Sequence, residues 1–221
     1  MKVKLVSYSQ LPETKGAGSD LQQLVAYCAR VSNPSNQVTN DESGKLIQYL
    51  IKNKHWSPLE MVSVCMEIET PRDIARQILR HRSFSFQEFS QRYADPTKDM
   101  EFVTREARLQ DTKNRQNSVA VASDNELHVA WKIRQLSIIR ECKLAYNWAL
   151  DNGIAKEQAR AVLPEGLTMS RMYMNGTLRS WVHYIELRTA NGTQKEHMEI
   201  ANKCALEIAT IFPLMNDIIP S

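Results

Sequence analysis

The stretch VSVCMEIETPRDIARQILRHRSFSFQEFSQRY, residues 62–93, decides how the rest of the chain is read. Its first part alternates: Val62, Val64, Met66 and Ile68 stand between Ser63, Cys65, Glu67 and Glu69. Side chains of a strand point to opposite faces in turn, so this pattern predicts a strand with one buried face. The period changes at Thr70. Thr70 is suited to cap a helix, Pro71 to its first turn, and Asp73 to the positive end of the helix dipole. A helix is expected from there to about His81. From Ser83 to Tyr93, Phe84, Phe86 and Phe89 alternate loosely, which fits either a strand or an extended loop.

Outward from this stretch, helices and scattered strands follow without regular βαβ units. Met1–Tyr8 reads as a strand. Ser19–Arg30 carries Leu21, Leu24, Val25 and Cys28 at helical spacing, and Glu42–Asn53 carries Leu46, Ile47, Leu50 and Ile51. The polar stretch Asn33–Asn40 between them is expected to be a loop. Asp111–Ser118, polar and poor in apolar residues, is expected to be a mobile loop. Ser123 and Glu126 have capping-box spacing ahead of a long helix, about 124–151, with Leu127, Trp131, Ile138, Cys142, Ala145 and Ala149 near one face. Asn152-Gly153 stops it. A shorter helix is expected over Lys156–Leu163, a weak strand over Glu165–Met174, and a helix over Thr177–Ala190. A last helix, opened by a second capping box at Thr193 and Glu196, is expected to reach about Phe212. The expected class is α+β, one domain with a small mixed or antiparallel sheet.

The chain has 221 residues, 43% hydrophobic and 24% charged, which is ordinary for a folded protein. A formal net charge of +3 is too small to indicate nucleic-acid binding by itself. The four cysteines, Cys28, Cys65, Cys142 and Cys204, form no C-x-x-C pair and have no histidine at zinc-finger spacing. They read as small buried hydrophobes in a reducing compartment, with no metal site. The N-terminus lacks the apolar core of a signal peptide, and no run approaches the roughly 20 apolar residues that span a membrane. A soluble, cytoplasmic protein is expected.

The chemistry lies in the arginines. Arg72, Arg76 and Arg80 recur every fourth residue on the expected helix, and taken alone read as a solvated stripe. Arg80, His81 and Arg82 then stand together beside Ser83, Ser85 and Ser90. Such a group repels itself unless an anion is present, and guanidinium forks suit phosphate. The competing reading is a basic residue capping the last helical carbonyls, which needs only one of the three. A serine in a basic pocket invites comparison with a nucleophile. No His-Asp pair is evident to activate Ser90, so it reads as a hydrogen-bonding group. His128 and His197 read as structural, and His55 as either structural or part of the site.

Arg80-His81-Arg82 followed by seven residues and Ser90 resembles the signature of the flavin-dependent thymidylate synthases. Ala29-Arg30-Val31-Ser32, His55-Trp56-Ser57-Pro58-Leu59-Glu60, Ala159–Pro164, Leu178-Arg179-Ser180 and Leu187-Arg188 resemble further family segments in the same order. The likeness spans roughly residues 1–212 and leaves 104–122 unmatched. It implies transfer of the methylene of 5,10-methylenetetrahydrofolate to C5 of dUMP, with FAD, reduced by NADPH, turning methylene into methyl. It implies a homotetramer with FAD and dUMP between subunits. Residue by residue, it implies FAD contacts at Ser57, Arg80, His81, Arg82, Glu88, Thr177, Leu178, Arg179 and His183. It implies dUMP contacts at Gln77, Ile78, Leu79, Arg80, Glu88, Phe89, Ser90, Gln91, Arg92, Arg160 and Arg188. Arg188 is the implied catalytic residue, facing the uracil and favouring ionisation at N3. Nine residues separate Arg179 from Arg188, so on a continuous helix they point to nearly opposite sides.

The chain departs from the family pattern at Gln87 and Thr177, where Asn is usual, and at Met61 and Val62, where a His is common. The polar segment around Lys113 reads as either a lid or an idle insertion. The alternatives are a non-catalytic nucleotide or nucleic-acid binding module, using the Arg and aromatic residues of 80–93, and an inactive paralogue that keeps the fold.

Overall fold

The computed structural model describes residues 1–10, 20–37 and 42–218. Four strands form the main sheet: β1 (Lys2–Tyr8), β2 (Ser63–Pro71), β3 (Ser85–Glu88) and β6 (Met169–Thr177), in the order β1-β2-β6-β3. Every pairing in it is antiparallel. The class is therefore α+β, as the pattern of elements indicates.

The alternation in β2 does what its period requires. Val64, Met66 and Ile68 are fully buried, and opposite them in β6 lie Gly176, Met174 and Met172. Three helices cover this face: α3 (Arg72–Ile78), α7 (Leu178–Thr189) and α8 (Lys195–Ala209). They contribute Ile74, Ala75 and Ile78, then Trp181, Val182 and Ile185, then Ile200, Ala201, Cys204 and Ile208, all fully buried. The Trp181 indole N–H donates to the Val64 carbonyl at 3.0 Å, so the largest core side chain leaves no polar atom unpaired. The opposite sheet face is polar: Tyr173 Oη donates to Glu67 at 2.9 Å, and Arg171 Nε to Glu69 at 2.9 Å.

Helices α1 (Leu21–Ala29) and α2 (Ser43–Lys52) form where expected. Ser19 and residues 38–40, parts of the expected first helix and loop, lie outside the described residues. The start of α3 differs from expectation. Thr70 does not cap: it stays in β2, opposite Ser170 and fully buried. No side chain caps α3, because the Arg72 and Asp73 amides donate to the carbonyls of Thr168 and Glu165. The helix also ends at Ile78, not near His81. Phe84 is drawn under Trp181 and Tyr184, with ring centroids 4.9 and 5.9 Å apart, and the chain must turn early to deliver it.

The polar loop expected over Asp111–Ser118 forms, up to Asn117, the turn of an unexpected hairpin of β4 (Arg108–Gln110) and β5 (Ser118–Ala120). The Gln110 side chain donates to the carbonyls of Asp111, Arg115 and Asn117, and Asp111 Oδ1 accepts from the Lys113 and Asn114 amides. Polar residues hold this turn, so its composition reads as loop. The long helix α5 (Glu126–Asp151) is capped by Asn125, whose side chain accepts from the Leu127 amide, and not by Ser123. Its apolar face does not join the main core. Cys142, Tyr146 and Ala149 pack with Ala159 and Leu163, while Leu127, Trp131 and Ile138 are 50%, 42% and 48% exposed. The second expected capping box is also absent. Gln194 precedes α8 without a side-chain cap, and Glu196 turns away to Arg108. No helix among the described residues is long and apolar enough to cross a membrane.

Gly176 shows how tightly the face is closed. A Cβ there would collide with the Phe84 ring. Overpacking of this kind costs about 1–3 kcal/mol, so Gly176→Ala is expected to lower the thermal midpoint by several degrees, read by calorimetry.

Candidate active site

The burial of Phe84 fixes the loop that carries Arg80, His81 and Arg82. The His81 ring lies edge-on to Tyr184, 4.9 Å between centroids, and Arg188 Nε in the last turn of α7 donates to His81 Nε2 at 2.9 Å. That bond requires a lone pair on Nε2, so the imidazole is neutral and carries its proton on Nδ1. Burial, followed by the charges of Arg188 and Arg80, pushes its pKa down to about 4. Arg80 and Arg82 are exposed and enter no ion pair among the described residues.

Gln77, one turn earlier, is wired into a polar chain. His197 Nδ1 lies 3.2 Å from Gln77 Oε1, and His197 Nε2 lies 3.2 Å from the Tyr184 hydroxyl. Gln77 Nε2 donates to Gln194 Oε1 at 2.8 Å, and Gln194 Nε2 donates to Glu196 Oε2 at 3.0 Å. Arg108 Nη2 donates to both Glu196 carboxylate oxygens, at 2.7 and 2.8 Å, with Arg105 3.3 Å away. Burial pushes the Glu196 carboxyl up, but Arg108, its own backbone and the charge of Arg105 outweigh this and hold it below its ordinary value. Burial, then Arg188 and His81, pushes His197 down to about 3. A cavity of about 530 Å³ adjoins this chain, lined by Arg105, Arg108, Arg115, Asn117, Trp131 and Gln194 among others. Arg105, Arg108 and Gln194 carry no signal in the sequence, Glu196 stands out there only as half of a capping box, and His197 reads only as structural. The Arg residues sit in the segment without family likeness, and nothing in their spacing links them to Gln77.

A second group gathers where the first turn of α7 meets the 3-10 turn Ser57–Met61. Arg179 pairs with Glu60, and the His183 ring lies 4.5 Å from that of Trp56. Thr177 caps α7, its side chain accepting from the Ser180 amide, and the Ser180 hydroxyl donates to the Ser83 carbonyl at 3.3 Å. Ser57, Arg179, His183 and the Arg82 loop are thus drawn to one end of α7. Because α7 is continuous, Arg188 serves His81 and Arg179 serves Glu60 from its two ends. The side chains of Leu178 and Ile78 are fully buried in the core, and the Leu178 amide donates to Val62. Leu79 packs against the same core.

A third group holds Ser90, Gln91, Arg92 and Arg160. Arg92 pairs with Glu157 at 3.4 Å, Arg160 Nε donates to the Glu157 carbonyl at 3.3 Å, and Lys156 Nζ donates to the Tyr93 carbonyl at 3.0 Å. Gln91 is buried, and among the described residues its side-chain nitrogen has no partner. Glu88 faces inward: it accepts from Arg76 at 2.9 Å and from Ser170 at 2.8 Å, with Arg72 3.6 Å away. Arg72 and Arg76 are therefore paired with Glu88; of the expected solvated stripe, Arg72 is buried while Arg76 and Arg80 are exposed. Phe89 is half-buried, and its amide donates to the Arg171 carbonyl. Among the described residues, no hydrogen bond or ion pair joins Ser90–Arg92 or Arg160 to Gln77, His81 or Arg188.

This site and fold have counterparts. Residues 14–214 match the model of the thymidylate synthase complementing protein family. A flavin-dependent thymidylate synthase of Synechocystis is 47% identical over 203 residues, 91% of each chain. A probable flavin-dependent thymidylate synthase of Paramecium bursaria Chlorella virus 1 is 46% identical over 213 residues, 96% of each chain. The crystal structure of PolB from Streptomyces cacaoi, a UMP/dUMP methylase bound with 5-Br dUMP, superposes with a TM-score of 0.79. It is 25% identical and covers 98% of this chain and 93% of its own. The chain belongs to the thymidylate synthase complementing protein family. Its enzyme class is that of the flavin-dependent thymidylate synthases, and the binding-module alternative is not favoured.

Neutral His81 and His197 set a pH dependence. Their ordinary value is 6.5, and both are depressed on folding. Their full contribution to stability is present above that value. As pH falls from 6.5 towards 4, the unfolded chain takes up protons that the folded chain refuses, and stability is lost. Thermal midpoints are expected to fall between pH 6.5 and 4.5, and to fall less steeply in His197→Gln.

Proposed function

We propose that the enzyme transfers the methylene of 5,10-methylenetetrahydrofolate to C5 of dUMP and reduces it to methyl, giving dTMP and tetrahydrofolate, with NADPH regenerating the reduced flavin. The observation that carries this is the Arg188–His81 pair at 2.9 Å, because it ties the Arg-His-Arg signature to the one arginine suited to the uracil. With Nε engaged, the terminal nitrogens of Arg188 are free to donate. Facing the uracil, they stabilise negative charge at N3 and need no reorganisation as it develops. Neutral His81 aims this fork; a protonated ring would lose the acceptor and repel it.

The residues present fit FAD and a phosphate-bearing nucleotide. Among the described residues, the exposed Arg80 and Arg82 enter no ion pair, and the buried Gln91 nitrogen has no acceptor. Arg80, Arg82, Ser57, Arg179 and His183 hold the flavin; Gln77, Ser90, Gln91, Arg92, Arg160 and Arg188 hold dUMP. FAD, when bound and reduced, supplies the hydride that completes the methyl group.

The enzyme acts as a homotetramer with its sites between subunits. What supports this is the separation of Ser90–Arg92 and Arg160 from the Gln77–His81–Arg188 group within one chain. The exposed Trp131, Ile133, Leu136, Ile138, Leu144 and Trp148 of α5 supply apolar area for association.

The purified protein should show a flavin spectrum between 350 and 500 nm that bleaches with NADPH. A colourless protein that takes up no added FAD overturns the proposal. Arg188→Ala should lower turnover by about a hundredfold or more while flavin content stays near wild type. Equal loss of both removes the role given to Arg188. Arg82→Ala should lower flavin occupancy, read as the flavin-to-protein absorbance ratio.

A further inference from the structure

The chain from Arg108 to Tyr184 has a direction, and one residue sets it. An amide side chain can be turned over without changing its shape, so the roles of Gln77 and Gln194 follow from their neighbours. Glu196, held ionised by Arg105 and Arg108, can only accept. Gln194 must therefore point its nitrogen at Glu196, 3.0 Å away, and its oxygen at Gln77. Gln77 must answer with its nitrogen, at 2.8 Å, which leaves its oxygen facing His197. His197 Nδ1, 3.2 Å from that oxygen, must carry the ring proton, and Nε2 must accept from the Tyr184 hydroxyl, also at 3.2 Å. Each remaining group agrees. Tyr184 is buried and stays protonated, and His197 is fully buried and neutral. Reversing any one link would set two acceptors or two donors face to face, at the cost of an unsatisfied buried group.

We propose that the Glu196 carboxylate fixes the direction of this chain and so sets which way the Gln77 amide faces its ligand, making Glu196 a positioning residue for nucleotide recognition. With one Nε2 hydrogen committed to Gln194, Gln77 keeps a single N–H, on the hairpin side, for an acceptor oxygen of the nucleotide. Its carbonyl is turned to His197. The hairpin β4–β5 is then neither a lid nor an idle insertion: its Arg108 holds the carboxylate that, through Gln194, orients the substrate contact Gln77. This inference rests on the reading of Gln77 as a dUMP contact.

The test has two arms. A neutron structure of the perdeuterated wild-type protein shows the protons directly. Deuterium is expected on His197 Nδ1 and on the Tyr184 oxygen pointing to Nε2; deuterium on Nε2 overturns the proposal. In the second arm, Glu196→Gln lets the chain run either way. Its KM for dUMP is expected to rise about tenfold, more than kcat falls, with the KM for the folate little changed. An unchanged KM for dUMP, or a uniform loss across both substrates, overturns it. The neutron arm needs neither a variant nor turnover, so it decides the direction of the chain even if dUMP proves not to be the substrate.

Discussion

The antiparallel pairing of β2 with β6 is the constraint on which the molecule depends. Its register runs unbroken from Ser63 opposite Thr177 to Pro71 opposite Met169. Each strand hands directly into a helix that carries site residues: β2 into α3, with Gln77 and then the Arg-His-Arg loop, and β6 into α7, with Arg179 and Arg188. Because the strands are antiparallel, the two helices leave from opposite ends of the sheet and fold over the same face. A shift of one residue would turn Met66 and Met174 outward and carry the helices with them. The bond between Arg188 and His81 is thus a consequence of strand register.

Around that frame the site is built from charges that the chain has largely compensated internally. Arg72 and Arg76 are matched by Glu88 and Glu165, Arg105 and Arg108 by Asp73 and Glu196, and Arg179 by Glu60. Half-buried guanidinium groups would be costly otherwise. Among the described residues, Arg80 and Arg82 on the signature loop enter no ion pair and the Gln91 side-chain nitrogen has no partner, which is informative for that reason. The two histidines nearest the centre are kept neutral by burial and neighbouring arginines, so both act as directional hydrogen-bonding groups, not charges.

Much of the fold was legible locally. Strict alternation in 62–69 gave β2, and helical spacing gave α1, α2, α7 and the extent of α5. Capping was read less well. Thr70, Ser123 and Thr193 had the right chemistry to cap, yet backbone carbonyls from 165–168 satisfied one helix start, and Asn125 took another. The apolar residues of α5 looked like a core face, but periodicity records which side is apolar, not what covers it. The β4–β5 hairpin was missed because side-chain amides hold its turn, and those residue types are the ones that mark loops.

The sequence by itself determined the α+β class, the central strand, the arginine-rich signature and, through likeness along most of the chain, the family of enzymes. These depend on local period and on residue types at fixed spacing. Only the tertiary structure decided that Arg188 meets His81, that Glu88 turns inward to Arg76, and that Glu196 reaches Gln77 through Gln194. Arg188 and His81 lie 107 residues apart, and Gln77 lies 117 from Gln194. Which donor finds which acceptor across such separations depends on strand register and on how helices pack, and no local pattern carries that information.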